Sequence, residues 1–361
     1  MRPWLVEAGS CDVVCVGTQE CQRSIRGSFF KLSKRRWEKH LLRELRAVSY
    51  ERGRTDDELH QVASVTLVAI HLSVFVRRSL LPFLAAVHTG TVATGALHKP
   101  HEKGVKLGNK GAVYCALHLC GTRFLVLNSH LHAHHGAKHV RRRNAECYAI
   151  MRQLRVPENF FRAGIRLRAC LRSFHLFKGE QSRLGGHVLL SPESLSYAEA
   201  ARRYTSLRFA EFDQTEQRRG CLQVHPVNDT VSTSVVMERF DAVIWTGDLN
   251  YRINGNRGAV DHLIERGMME VLRANDQLSH QREHGLAFTS FQEGPLSFAP
   301  TYKFDPDSDT YDSSSKRRVP GWTDRVLYRN KSDALPVLKL LQYTRYSKLF
   351  DPFSLSDGEM V

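Results

Sequence analysis

No run of about 18 apolar residues occurs in this chain, so no segment of it is built to cross a bilayer as a helix. The opening residues, MRPWLVEAGSCDVV, carry no signal-peptide pattern. None of the eight cysteines, at 11, 15, 21, 115, 120, 147, 170 and 221, stands in a CxxC pair, and they are scattered through apolar runs. That excludes an obvious disulfide framework and fits reduced, buried thiols of an intracellular protein. Neither a GxGxxG segment nor a Walker loop is present, so those two phosphate cradles are absent. Acidic residues are in short supply: 37 against 52 Lys plus Arg, for a formal net charge of +15. Such an excess favours an anionic partner, whether nucleic acid, an anionic membrane face or a polyphosphorylated small molecule. The plainer reading is solubility, or a basic insertion of little consequence.

What is present is a globular composition. With 361 residues, 42% hydrophobic and 25% charged, the chain can build one large domain or two ordinary ones around a real core. CDVVCVGTQE reads as a buried strand ending in a polar turn at Glu20. KRRWEKHLLREL places Trp37, Leu41, Leu42 and Leu45 at helical spacing. SVTLVAIHLSVFVRR predicts two strands, and KLGNKGAVYCALHLCGTRFLVLNSHL predicts a strand, a turn at Gly121 and a second strand. HVRRRNAECYAIMRQL is a basic amphipathic helix with Val140, Cys147, Ile150, Met151 and Leu154 as its stripe. Residues from about 156 to 236 are Arg-rich and without a clean period; they read as an insertion, loop-like and partly disordered, carrying much of the positive charge. Order returns with the strand FDAVIWTGD and a helix over AVDHLIERGMMEVL, with Val260, Leu263, Ile264, Met268 and Leu272 on one face. A Pro/Asp/Ser loop bracketed by basic groups then closes on the strand RVLY. Irregular alternation of strands and helices, with several hairpins, predicts a mixed α/β sandwich rather than a doubly wound parallel sheet.

Four strand ends carry polar groups of one kind. Glu20 follows one strand, Asn128 and His130 end another, Asp248 and Asn250 end a third, and Asp324 precedes RVLY. Strand ends can meet in one cleft of a sandwich although they are distant in sequence. Carboxylates, amides and an imidazole without cysteine make a hard-oxygen site suited to Mg²⁺, which needs only one or two protein carboxylates plus a substrate phosphate. In such a site Asp248 can orient or deprotonate an attacking water, while Asn250 and His130 donate hydrogen bonds to phosphoryl oxygens. Any one of these residues alone is more often a turn former. The tract HLHAHHGAKH, with its HxHxHH spacing, could bind Zn²⁺ but lacks the spacing of usual zinc sites. Tyr302 with Lys303 could be an edge-strand pair, and Lys316, Arg317 and Arg318 a solvated charge run.

The segment WTGDLNYRI resembles the WxGDxNYR motif of the inositol polyphosphate 5-phosphatases, and PGWTDRVLY resembles their second signature. LGNKGAV, NSHL, RRN, APTYKFD and DVVCVGTQE are similar to further family segments, in the family's order, over roughly residues 11 to 155 and 237 to 357. GTQE and LGNKGAV are closest in wording to the SH2-containing inositol phosphatase branch, although no SH2 domain lies in this chain. The resemblance implies the four-layer α/β sandwich of the exonuclease–endonuclease–phosphatase superfamily: two mixed sheets flanked by helices, in a single catalytic domain over 1–361. It implies Mg²⁺-dependent removal of the 5-phosphate from phosphoinositides or soluble inositol polyphosphates. Carried over residue by residue, Glu20 is the metal ligand, Asp248 positions or activates water, Asn250 binds the scissile phosphate and His130 stabilises the transition state. Asp324 sits beside the metal and phosphate. Tyr302, Lys303, Lys316 and Arg318 hold the neighbouring 4-phosphate, with Lys110 and Asn128 as further substrate contacts. Paired cations flanking a cleft are what a vicinal bisphosphate requires.

There are departures. The family begins with a strand carrying an active-site Asn that has no counterpart here, and it ends with Ser-Asp-His where this chain reads LSDGEMV. Asp357 aligns, but Gly358 stands in the place of the His. Gly321 and Thr323 replace the usual Ala or Ser and Cys of the second signature. General acid–base assistance is worth about 10²–10⁴-fold, so losing that His should be costly. A missing terminal strand should also bare a sheet edge. The expectation is therefore a family member whose N- and C-terminal strands are missing. Its partners are phosphoinositide or inositol phosphate at a peripheral anionic membrane surface on the cytosolic side. A non-catalytic phosphoinositide binder and a Mg²⁺-dependent nuclease are the alternatives; nucleic acid is disfavoured because paired cations suit a second phosphate on the same small molecule.

Overall fold

Apolar β-branched runs bounded by turn residues become strands, and among the described residues the strands assemble into two six-stranded sheets packed against each other. The computed structural model describes residues 5–20, 34–94, 109–163, 174–180, 185–191, 236–305, 308–332 and 336–346. In chain order the strands are β1 (Val13–Gln19), β2 (Leu59–Leu67), β3 (Ile70–Arg77), β4 (Leu84–Ala93), β5 (Gly111–Leu119) and β6 (Thr122–His130). They continue as β7 (Phe174–Glu180), β8 (Gly185–Ser191), β9 (Ala242–Asp248), β10 (Gln292–Glu293), β11 (Asp324–Asn330) and β12 (Lys339–Tyr346). One sheet has the order β12-β8-β7-β1-β3-β2 and the other β10-β11-β9-β6-β5-β4. The helices are α1 (Arg35–Glu51), α2 (Ala137–Gln153), α3 (Glu158–Arg162), α4 (Arg257–Glu265), α5 (Met269–Ala274) and α6 (Gln277–Glu283).

Alternation along the central strands explains the layering. In β1, Val13 and Cys15 enter the core between the sheets, while Val14 and Val16 pack on α1. In β9, Ala242 and Ile244 face the other sheet and Val243 and Trp245 face the helical layer with Leu278, Phe288 and Phe291. Both faces of these strands are covered, which is why they read as unbroken apolar runs. The order helix, sheet, sheet, helix is the four-layer sandwich that the resemblance implied. The five cysteines among the described residues, at 11, 15, 115, 120 and 147, are buried free thiols, as their apolar settings suggested.

Two elements differ from the sequence expectation. The stretch AVDHLIERGMMEVL does not continue as one helix: Gly267 takes a left-handed conformation (φ 67°) between α4 and α5, which only glycine adopts without cost. Met268 is consequently 44% exposed rather than on a buried stripe. The loop-like insertion supplies two strands. β7 runs parallel to β1 from Val13↔Phe174 to Gln19↔Glu180, and β8 joins β7 to β12. A missing terminal strand was expected to bare a sheet edge; β1, the first strand, is paired on both sides, with β3 and with β7. The missing ladder partner for a buried strand outweighs weak local periodicity.

α1 is fixed to the sheet by Glu38 as well as by Trp37, Leu41, Leu45 and Val48. Burial alone would push the Glu38 carboxyl up, but hydrogen bonds from His71, Ser64 and Gln61 and the His71 charge overcome that and lower it to about 2. The folded carboxyl thus binds its proton at lower pH than the unfolded one. Its stabilisation is complete above the usual carboxylate range and lost as the pH falls toward that depressed value. Glu38→Gln should therefore flatten the acid limb of a plot of Tm against pH between about pH 5 and pH 2. Parallel limbs for the two proteins would show that Glu38 does not link protons to folding.

Candidate active site

Three strand ends converge because of register. β6 and β9 run parallel with His130 opposite Asp248, and β11 runs antiparallel to β9 with Asp324 opposite Asp248. His130, Asp248 and Asp324 thus stand side by side at one rim of one sheet. Gly247 permits this approach: it sits at φ 143°, and a Cβ there would lie 2.0 Å from the Ser129 carbonyl oxygen. The glycine of the WTGD segment is required for strand contact, and Trp245 in the same segment donates to Ser129 Oγ at 2.9 Å.

Glu20 arrives from the other sheet, directly after β1, and its backbone N–H donates to Ala69. The two sheets are clamped at this point by Asn128. Its amide donates to the carbonyls of His71 (2.7 Å) and Thr18 (3.3 Å) and accepts from Gln19. Both amide hydrogens of Asn128 are taken, and the residue is fully buried. Asn128 was expected among the substrate contacts; the structure gives it to the bridge that holds the Glu20 and His130 strand ends together.

The carboxylate of Asp248 is oriented on both sides. Oδ1 accepts from the Asn250 backbone N–H at 3.0 Å, and Oδ2 lies 3.1 Å from His130 Nε2. Because an ionised carboxylate only accepts, this contact assigns the proton to Nε2. Asn250 donates through Nδ2 to the Leu131 carbonyl (2.9 Å) and accepts from Arg252 Nη2 at 2.6 Å. One of its two amide hydrogens is left for a ligand oxygen. Asp324 takes longer bonds, 3.4 Å each, from the hydroxyls of Thr301 and Thr323.

Cations surround this rim. Lys110 is half-buried, and burial lowers its ammonium pKa while Asp248, Glu20 and Glu146 oppose the fall and Arg252 adds to it. Lys110 thus feels acidic groups at the strand ends of both sheets. Arg252 lies with its guanidinium carbon 4.1 Å from the centre of the Tyr302 ring. Tyr302 in turn pairs with Gly321, so the APTYKFD segment is stitched to the second signature. Asp312 joins the two expected cation groups: its N–H donates to the Lys303 carbonyl at 2.9 Å, and its carboxylate accepts from the Arg318 backbone and side chain. Burial would raise that carboxyl, but bonds from Ser314 and Arg318 hold it well below the usual range. Lys303 is half-buried and Lys316 is exposed on this loop, while Arg318 is engaged with Asp312. Asp357 and Gly358 lie outside the described residues.

A supporting shell was not anticipated. Arg143 in α2 is buried, and burial lowers its pKa to about 10. It donates to the carbonyls of His132 and His134 and to Gln277 Oε1. Glu146, its carboxyl raised by burial, accepts from the His132 N–H. Gln277 also accepts from the Arg252 N–H. Tyr251 donates to Asn144, a residue of the RRN segment. The available signal was charge out of place: Arg143 falls among the apolar positions of α2, and Arg252 ends the same motif as Asp248. In the histidine tract weighed for zinc, two rings pair with each other. His132 Nε2 lies 2.9 Å from His139 Nδ1, their rings stack at 5.0 Å, and burial drives His132 down to about 4.

The donor set suits a hard divalent cation. Glu20 and Asp248 both act electrostatically on the Lys110 ammonium, and the strand-end donors Glu20, Asp248, Asn250 and Asp324 are carboxylates and an amide. A hydrated Mg²⁺-type ion, needing one or two protein carboxylates, is compatible with that arrangement. Glu20 would hold it.

Comparison with known proteins shows the family and the fold. A family model described as Endonuclease/Exonuclease/phosphatase family 2 matches residues 1–357. The chain is 28% identical over 334 residues to the type II inositol 1,4,5-trisphosphate 5-phosphatase of Mus musculus, covering 92% of this chain and 25% of that protein. It is 30% identical over 276 residues to synaptojanin-1 of Homo sapiens, covering 76% of this chain and 12% of that protein. The chain therefore spans a quarter or less of the length of these curated relatives. Among solved structures it is similar to the inositol polyphosphate 5-phosphatase domain of SPsynaptojanin in complex with inositol (1,4)-bisphosphate and calcium ion. That likeness has TM-score 0.57 and 27% identity, covering 88% of this chain and 67% of that one.

Proposed function

Because this chain belongs to the endonuclease/exonuclease/phosphatase family 2, we propose that it is a Mg²⁺-dependent phosphomonoesterase acting on the 5-phosphate of inositol phosphates. The substrate class is phosphatidylinositol 4,5-bisphosphate, phosphatidylinositol 3,4,5-trisphosphate or their soluble counterparts. The observation that carries this reading is the alignment of His130, Asp248 and Asp324 at one sheet rim beside a loop in which Tyr302 pairs with Gly321 and Asp312 ties Lys303 to Arg318. When bound, the metal neutralises charge on the phosphoryl oxygens. Asp248, locked by His130 and Asn250, orients a water for attack on phosphorus. Asn250 donates its remaining amide hydrogen to a phosphoryl oxygen, and Lys110 adds positive charge beside it. Lys303 and Lys316 hold the adjacent phosphate, with Arg252 fixing both Asn250 and the Tyr302 ring. No helix among the described residues is long and apolar enough to cross a membrane. The proposed setting is the cytoplasm, with the net positive charge drawing the chain peripherally to the anionic cytosolic membrane face.

The test is phosphate release by the purified chain from dispersed phosphatidylinositol 4,5-bisphosphate and from soluble inositol 1,4,5-trisphosphate, with Mg²⁺ or with EDTA. Release should vanish in EDTA. Lys303→Met should raise KM by about tenfold, the loss of one charge-assisted hydrogen bond, with a smaller change in kcat. A folded sample that binds these compounds without releasing phosphate would leave a non-catalytic binder. Salt-sensitive cleavage of DNA in place of phosphate release would make the chain a nuclease.

A further inference from the structure

Helix α6 carries the sequence HQREH at its C-terminal end, from His280 to His284. The helix is anchored by its other residues. Gln277 accepts from Arg143 and Arg252, Gln281 accepts from Asn144, and Arg282 donates to Glu293 and to the Phe291 carbonyl. His280, Glu283 and His284 take no part in that packing and form a solvent-facing stripe, His280 half-buried and the other two exposed. A ring nitrogen from each histidine and a carboxylate oxygen of Glu283 lie within 4.8 Å of one another. No other group of three metal-ligating side chains among the described residues gathers in this way.

We infer that His280, Glu283 and His284 form a second metal site, separate from the phosphate centre, that takes a zinc-like transition-metal ion. Three physical features support it. Residues at i, i+3 and i+4 share one face of a helix, so their ligand atoms can meet at a point. His284 Nδ1 donates to the His280 carbonyl at 2.8 Å, which leaves the Nε2 lone pair as the ligand atom. A backbone acceptor on the far ring nitrogen is the usual partner of a metal-bound histidine. The helix ends here, at a left-handed Gly285 (φ 71°), and the negative end of its dipole favours a cation. Two imidazoles and one carboxylate match a borderline metal rather than Mg²⁺, which prefers oxygen alone. The remaining coordination positions are open to water.

The experiment is calorimetric titration of ZnCl₂ into the full chain with MgCl₂ present, repeated for His280→Ala, His284→Ala and, as a control in the other histidine cluster, His139→Ala. The intact chain should bind Zn²⁺ at this site. Each of the first two variants should weaken that binding by about tenfold or more, and His139→Ala should leave it unchanged. Zn²⁺ should also raise the Tm of the intact chain and not that of His284→Ala, because the ion binds the folded helix. Superimposable isotherms for the intact chain and both α6 variants would overturn the assignment, as would loss of binding in His139→Ala alone.

Discussion

Asp248→Asn is expected to lower kcat for phosphate release by about 10²–10⁴-fold, with KM little changed. The substitution keeps the size of the side chain and an Oδ1 acceptor for the Asn250 N–H. It removes the carboxylate proposed to orient water and presents an amide hydrogen to His130 Nε2 instead. The backbone role of residue 248, whose carbonyl accepts from the Leu131 N–H, is untouched. The fold should therefore survive, and an unchanged Tm would confirm that the loss is chemical. Retention of activity within a few-fold of the parent would remove Asp248 from the mechanism. Asn250→Ala would then be the next variant, since Asn250 both fixes Asp248 and offers an amide hydrogen.

Arg325→Met should be the most destabilising single change, costing about 3–5 kcal/mol. Arg325 is fully buried, donates to both oxygens of Asp276 at 2.9–3.0 Å, and pairs with both oxygens of Glu293 at 2.6 and 2.7 Å. Burial alone would depress its pKa, but Asp276 and Glu293 reverse that and raise it. Removing the guanidinium takes the buried cation from Asp276 and leaves Glu293 only its contacts with Arg282 and Tyr343. Asp276 also caps α6 by accepting from the Ser279 N–H, so the damage should spread to that helix and to its grip on Arg143 and Arg252. Urea denaturation measures the effect as a fall in the midpoint at unchanged slope. Arg325→Met combined with Asp276→Asn and Glu293→Gln should recover part of the loss, because the carboxylates are then neutral. A loss below about 1 kcal/mol for the single variant would mean that the triad relaxes to admit water.

The family signatures were readable because each compresses several constraints into adjacent residues. In WTGDLNYRI, Trp245 packs the helical layer, Gly247 lets two strands touch, and Asp248, Asn250 and Arg252 face the rim. The helices α1 and α2 were likewise legible from apolar spacing. The insertion was not. Its two strands have weak periodicity, and their ladder partners β1 and β12 lie far away in sequence. The supporting role of Arg143 was hidden because an arginine in a basic helix looks like a solvated charge until the His132 and His134 carbonyls are seen to need its donors.

By itself the sequence determined the class of fold, the family, and which short segments hold the polar strand ends. Those are properties of local pattern: alternation, helical spacing and contiguous motifs. Tertiary structure alone decided which polar residues touch. It set Asn128 in the clamp between sheets, Arg252 on Asn250, and His130 on Asp248. It also brought His280, Glu283 and His284 out of a helix whose anchoring residues face the other way. Hydrogen bonds and desolvation depend on what lies within a few ångströms. Strand register and sheet packing, which join residues more than a hundred positions apart, set those neighbours.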